Sequence, residues 1–276
     1  SDYDMYVTNN TSYPSLFAFM DDEHEKLAQY IQDVAPHPRK ASIIEVGCGT
    51  GRTLLRCATN PEVNRRVEYY VGIDNSPEMT GIAKHNKNSK LADHGFTYGT
   101  FNKLVFLLLE GERLSAYFHR GRFHSDKYAA DFNVDEPILA DLKAFARSKK
   151  VVCTLLNTLG VIREPERTRV LKEMVACAGP GDLIVVSVFD SKNFMEDAPK
   201  LYQAIKPIVG NFSIGDFAPI SCEFKPRHYY THWFHREEII RMVEAAAGVR
   251  PKDVSIDVQG LPGLFLTATL PARSAR

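Results

Sequence analysis

The chain of 276 residues has no excess of either charge, no paired cysteine spacing and no long apolar run, and each absence removes a class of function. Its 34 Lys and Arg residues balance 34 Asp and Glu, so no global field gathers polyanions. A dedicated nucleic-acid or membrane-surface enzyme would carry a basic excess, and neither partner is expected. Cys48, Cys57, Cys153, Cys177 and Cys222 are odd in number and form no C-x-x-C. That argues against a disulfide framework or a zinc site and for a reducing compartment, with no metal expected. The longest strongly apolar run, Leu104 to Leu109, is far too short for a bilayer, which needs about 20 residues. No secretory pattern marks the N-terminal residues, and the expected location is the cytoplasm.

What is present is a glycine loop. Ile43-Ile44-Glu45-Val46-Gly47-Cys48-Gly49-Thr50-Gly51 places three alternating glycines directly behind a short β-branched run. Such a loop lets backbone approach a ligand with no Cβ in the way, and the helix that follows turns its free NH groups toward it. A dinucleotide fingerprint is G-x-G-x-x-G, whereas here Arg52 stands where its third glycine would be, so a pyrophosphate is not the expected guest. Glu45 points the same way, because a carboxylate beside the loop repels phosphate and favours an amino group or a sulfonium. After a second apolar run, Tyr69 to Ile73, comes Asp74, 74 − 51 = 23 residues past the last glycine, an acid placed to accept both hydroxyls of a ribose.

These residues, with Val71-Gly72-Ile73-Asp74-Asn75-Ser76-Pro77-Glu78-Met79, resemble motifs I and II of the class I S-adenosylmethionine (SAM)-dependent methyltransferases. The resemblance implies SAM as cofactor and S-adenosylhomocysteine as product. The Gly47–Gly51 loop, including Cys48 and Gly49, would wrap the methionine part, with Glu45 supporting that end and Asp74, flanked by Asn75 and Met79, on the ribose. The family places an acid after its third strand on the adenine amino group, which would make Asp131 that acid and Phe132 a stacking partner. Cys153 to Gly160 is similar to small-molecule N-methyltransferases of the glycine methyltransferase kind, which carry an Asn at the place of Asn157. It departs from the Asn/Asp-Pro-Pro-Tyr of enzymes that methylate nucleic-acid bases, so a DNA-modifying role is weakened.

The implied fold is α/β, a Rossmann-like, mostly parallel seven-stranded sheet with a reversed last strand, helices on both faces and substrate-cap insertions. Strand and helix patterns alternate accordingly. Asp21 and Asp22 are placed to cap a helix bearing Leu27, Tyr30, Ile31 and Val34. Ser76 and Pro77 open another. Lys127 to Asp131 is predicted as the third strand, followed by a helix with Ile138, Leu142 and Phe145 facing inward. Val151 to Leu156 and Leu183 to Phe189 are the fourth and fifth strands, and Val254 to Val258 and Leu264 to Leu270 a closing antiparallel pair. Residues 1–40 are read as an N-terminal lid and helix and 41–276 as the methyltransferase domain, with insertions at about 96–126 and 191–231. The first insertion carries the apolar Leu104–Leu109 run and a basic tip at His119 to His124, and reads as an extra packed element, a lid or a homo-oligomer contact.

Ligands of open α/β sheets bind beyond the carboxyl ends of the strands. Candidate groups around a methyl acceptor are therefore Asp190 and His232 as proton acceptors, and Tyr6, Tyr229, Tyr230 and Trp233 as substrate contacts, with Tyr3 and Tyr13 in the possible lid. The expected activity is methyl transfer to N, O or C of a small metabolite or natural-product intermediate. A protein or RNA substrate and a non-catalytic SAM-binding protein remain open, and a nicotinamide oxidoreductase is more distant.

Overall fold

In the computed structural model, residues 14–36, 38–93, 96–132, 139–225 and 229–271 are described. The first helix, α1 (Pro14–Val34), begins a full two turns before Asp21, so Asp21 and Asp22 lie inside it rather than at its start. Its buried stripe includes Leu16, Phe19, Leu27 and Ile31, the spacing of one helical face. It ends ahead of Pro36, as the sequence requires. The glycine loop follows β1 (Ala41–Val46) and leads into α2 (Arg52–Thr59). Next come β2 (Val67–Asp74) and α3 (Pro77–Ala92), where Ser76 Oγ accepts from Met79 N at 3.2 Å and Pro77 occupies the first turn.

The third strand departs from expectation. β3 is Leu104–Leu108, parallel to β2 with Leu104 opposite Tyr70 and Leu108 opposite Asp74. The apolar run is therefore an edge strand of the main sheet and not an insertion, and Leu104, Phe106, Leu107 and Leu109 are buried by the domain itself. Ser125–Phe132, which contains the predicted strand, is helix α4. Tyr128 and Phe132 stack at 4.6 Å, and two rings four positions apart can meet that way only across a helical turn. After the hairpin of Phe118–His119 and Arg122–Phe123, which turns at the basic tip, and α5 (Leu142–Arg147), the chain enters β4 (Lys149–Thr154). Phe145 of α5 is buried as expected and Leu142 is exposed, while Ile138 lies outside the described residues.

α6 (Glu166–Cys177), β5 (Leu183–Phe189), α7 (Phe194–Ala204), α8 (Arg236–Ala247), β6 (Lys252–Ile256) and β7 (Gly263–Thr269) complete the main elements. The sheet order is β6-β7-β5-β4-β1-β2-β3. β7 runs antiparallel to both β5 and β6, which is the reversed last strand. One buried layer joins Ile43, Cys153 and Val185 to α1 and α2; the other joins Ile44, Val152 and Val186 to α6 and α8. Between β5 and α8, α7 and a small antiparallel sheet of Phe217–Ala218, Ser221–Phe224 and Tyr229–His232 enclose an aromatic cluster around Tyr202, Phe217 and Phe224. No helix among the described residues is long and apolar enough to cross a membrane.

Phe106 is where the edge strand meets the glycine loop. A Cβ at Gly51 or at Gly72 would collide with its ring, so the ring fills the space both glycines leave open. Phe106→Ala should cost about 3–5 kcal/mol in urea denaturation, the usual range for a buried Phe. An unchanged unfolding midpoint would contradict this packing.

Candidate active site

The carboxyl ends of β1 and β2 are tied together by the loop backbone. Gly47 N and Cys48 N both donate to Ile73 O, at 2.8 and 3.0 Å, and Gly49 N donates to Asp74 Oδ2 at 2.9 Å. Asp74 Oδ1 accepts from Ser76 N at 2.9 Å, so the carboxylate is fixed from both sides while keeping lone pairs for a ligand. Gly47 has φ 73° and Gly51 φ 78°, a region that side chains rarely adopt. Both are also closed to a Cβ, Gly47 by the Thr158 methyl and Gly51 by Phe106.

A cleft of about 490 Å³ opens above these strand ends, within the usual range for a small-molecule site. Of the residues expected at the site, Gly47, Gly49, Asp74, Asn75 and Met79 line it, as do Tyr229 and Tyr230 of the small sheet. Cys48 is buried beneath the loop, its sulfur against Gly72. The Arg163 guanidinium lies 4.2 Å from the Tyr230 ring centroid and pairs with Glu223 at 2.6 Å, which steadies that wall.

Other expected residues serve the framework. With β3 at Leu104–Leu108, Asp131 does not follow a strand: it sits in α4, where Tyr117 Oη donates to it at 2.8 Å, and Phe132 stacks on Tyr128. Asn157 is buried with its amide committed to protein, donating to Thr231 Oγ1 and His232 O and accepting from Phe189 N, each at 3.2 Å. Asp190 caps the turn at Lys192 N at 3.0 Å. His232 Nε2 contacts Glu238 Oε1 at 2.9 Å, and its ring stands edge-on to Phe234. Trp233 is fully buried, donates to Tyr202 Oη at 3.0 Å and packs on Phe189 and Phe194. None of these lines the cleft. Tyr3, Tyr6 and Tyr13 lie outside the described residues.

The structure adds residues that the sequence reading missed. Leu109, Gly111 and Glu112 follow β3 and line the cleft, as do Thr158 and Ile162 after β4. The signal for the first group was available, since the same strand-end rule applied to Leu104–Leu108 instead of Lys127–Asp131 leads to them.

Glu45 lies behind the loop rather than in the cleft lining, only 3% exposed, and its Oε2 has no hydrogen-bond partner among the described residues. Burial, and then the charge of Glu23, push its carboxyl up to about 8. An unsatisfied carboxylate two residues before Gly47 fits the cationic amino group of SAM, as Asp74 fits its ribose. The residues present thus suit both ends of the cofactor.

A family model described as a methyltransferase domain matches residues 18–248. No curated protein matched the chain. Among solved structures, a SAM-dependent methyltransferase of Methanosarcina mazei is similar at TM-score 0.54 and 16% identity, over 85% of this chain and 94% of that one. Magnesium protoporphyrin IX methyltransferase of Synechocystis with bound SAM is similar at TM-score 0.54 and 11% identity, over 94% and 84%. The protein solved in complex with the Trm112 methyltransferase activator of Haloferax volcanii is similar at TM-score 0.54 and 13% identity, over 98% and 100%. At such identities the neighbours establish the fold, and the family match, spanning most of the chain over the same glycine loop and Asp74, establishes the rest: the chain belongs to the methyltransferase domain family and is a class I SAM-dependent methyltransferase.

Proposed function

We propose that the protein transfers a methyl group from SAM to a nucleophilic N, O or C of a small metabolite or natural-product intermediate held against Tyr229 and Tyr230. The observation that carries this reading is the cleft itself, which is lined by the cofactor loop and Asp74 together with two tyrosines. A chain with zero net charge and an aromatic wall suits a compact organic acceptor better than a polyanion. The Synechocystis neighbour is a magnesium protoporphyrin IX methyltransferase, so this fold serves a small acceptor in at least that case. The cysteines, all free and buried, fit the cytoplasm as the location.

When SAM is bound, it supplies a methyl group already activated on a positive sulfur. The chain's own part is placement. Asp74 would offer its remaining lone pairs to the ribose hydroxyls, Gly47 and Gly49 would let the loop backbone close on the amino-acid portion, and Leu109 to Glu112 would border the base. Tyr229 and Tyr230 would hold the acceptor in place, and positioning of this kind lowers a barrier by several kcal/mol. Among the described residues lining the cleft there is no His or Lys, and its carboxylates are Asp74 and Glu112. If the acceptor is an amine, the tyrosine faces also suit the positive charge it gains.

A second reading, action on a protein or RNA with the help of an activator, is favoured by the Haloferax volcanii neighbour, which matches end to end. A screen with radiolabelled SAM separates the two: label in low-mass products supports the proposal, and label in polymer selects the alternative. Asp74→Asn should weaken S-adenosylhomocysteine binding about ten- to hundredfold by calorimetry, the worth of a charged hydrogen bond. Unchanged affinity would remove Asp74 from the cofactor site. With the acceptor found in the screen, Tyr230→Ala should raise KM several-fold and leave S-adenosylhomocysteine affinity unaltered. The reverse pattern would move Tyr230 to the cofactor.

A further inference from the structure

Glu23, on α1, is a buried acid for which neither the motif nor the cleft accounts. It is 2% exposed, and its Oε1 accepts from Leu156 N at 2.7 Å, immediately after β4. Leu156 and Asn157 both hold positive φ, 49° and 57°, so Glu23 grips the least relaxed turn at the strand ends. Glu45 of β1 stands opposite Cys153 of β4, and Thr158, just beyond that turn, contacts Gly47. Alternation along the strands puts Glu45 and Ser187 on the face covered by α1 and α2.

Two buried carboxylates therefore lie near the end of β4 and the glycine loop, close enough for the charge of Glu23 to act on Glu45. The charged groups that face them are Arg52 at the start of α2, Asp22 on α1 and Asp74 at the end of β2. One cation against these acids leaves the pair short of positive charge, and Glu45 Oε2 is the atom left without a partner. A buried carboxylate in that position either keeps a proton or receives a cation.

We propose that Glu23 is a second carboxylate for the amino group of the cofactor: Glu23 and Glu45 hold one proton between them in the ligand-free chain, and the cofactor's ammonium displaces it to solvent. This rests on the SAM reading, and it ties α1 to cofactor binding, because Glu23 belongs to that helix. Burial raises Glu23 as it does Glu45, so at neutral pH the proton is present to be released. Affinity for a ligand bearing the ammonium accordingly climbs as pH rises toward about 8, where Glu45 ionises without help.

The test is calorimetry of the full chain at pH 7 in buffers of different ionisation enthalpy, with S-adenosylhomocysteine and with 5′-methylthioadenosine, which lacks the amino acid. Wild type should release about one proton per S-adenosylhomocysteine bound and none with methylthioadenosine. Glu23→Gln should weaken S-adenosylhomocysteine roughly tenfold, reduce the proton release and leave methylthioadenosine affinity as in wild type. Wild-type binding without proton release, or a Glu23→Gln variant that binds S-adenosylhomocysteine at full strength, would overturn the proposal. Should that variant not fold, the wild-type proton count decides alone. Failure of both ligands to bind wild type would instead sink the cofactor reading, and this assignment with it.

Discussion

Everything at this site depends on the backbone clasp between the ends of β1 and β2. Three NH groups of the glycine loop are spent on Ile73 O and Asp74 Oδ2, which fixes the loop to the neighbouring strand before any ligand arrives. The clasp exists only because Gly47 and Gly51 can take positive φ and because no Cβ intrudes where Thr158 and Phe106 pack. A preformed seat of this kind avoids most of the ordering cost that a flexible loop would pay on binding. It also sets the orientation of Asp74, whose second oxygen is anchored by Ser76 N.

The rest of the molecule supports that clasp from three directions. The edge strand β3 presses Phe106 under the loop, and the residues that follow it form one border of the cleft. From β4, Asn157 joins the chain of Phe189 to Thr231 and His232, so the turn carrying Thr158 is braced against the small antiparallel sheet. That sheet in turn hangs on Trp233, packed between Phe189 and Phe194. The aromatic density between β5 and α8 is thus mainly an internal core, and among its described residues Tyr229 and Tyr230 are the ones that line the cleft.

The parts of this that could be read in the sequence are those written in local rules. The glycine loop, the Ser76–Pro77 helix start, Leu183–Phe189 and the antiparallel closing pair each carry their own backbone chemistry. The third strand does not. Leu104 to Leu108 is an unbroken apolar run that suits an edge strand or a buried insertion equally, while Lys127 to Asp131 is a short apolar stretch between charges that carries no clear period and forms a helix with Tyr128 stacked on Phe132. The misplaced strand carried Asp131 and Phe132 with it. For Asn157, Asp190, His232 and Trp233 the position along the chain was right, at or near strand ends, but direction was not visible. Whether a side chain faces a cleft or a neighbouring strand is settled by packing between elements far apart in sequence. The proximity of Glu23 and Glu45 was hidden for the same reason, since α1 and β1 join one buried layer only in the folded chain.

A crystal structure with S-adenosylhomocysteine tests the central claim most directly. The account predicts ribose density within hydrogen-bond reach of Asp74 and the homocysteine portion along Gly47 to Gly51, its sulfur directed toward Tyr229 and Tyr230. Ligand density elsewhere on the chain, with that cleft filled only by solvent, would contradict it.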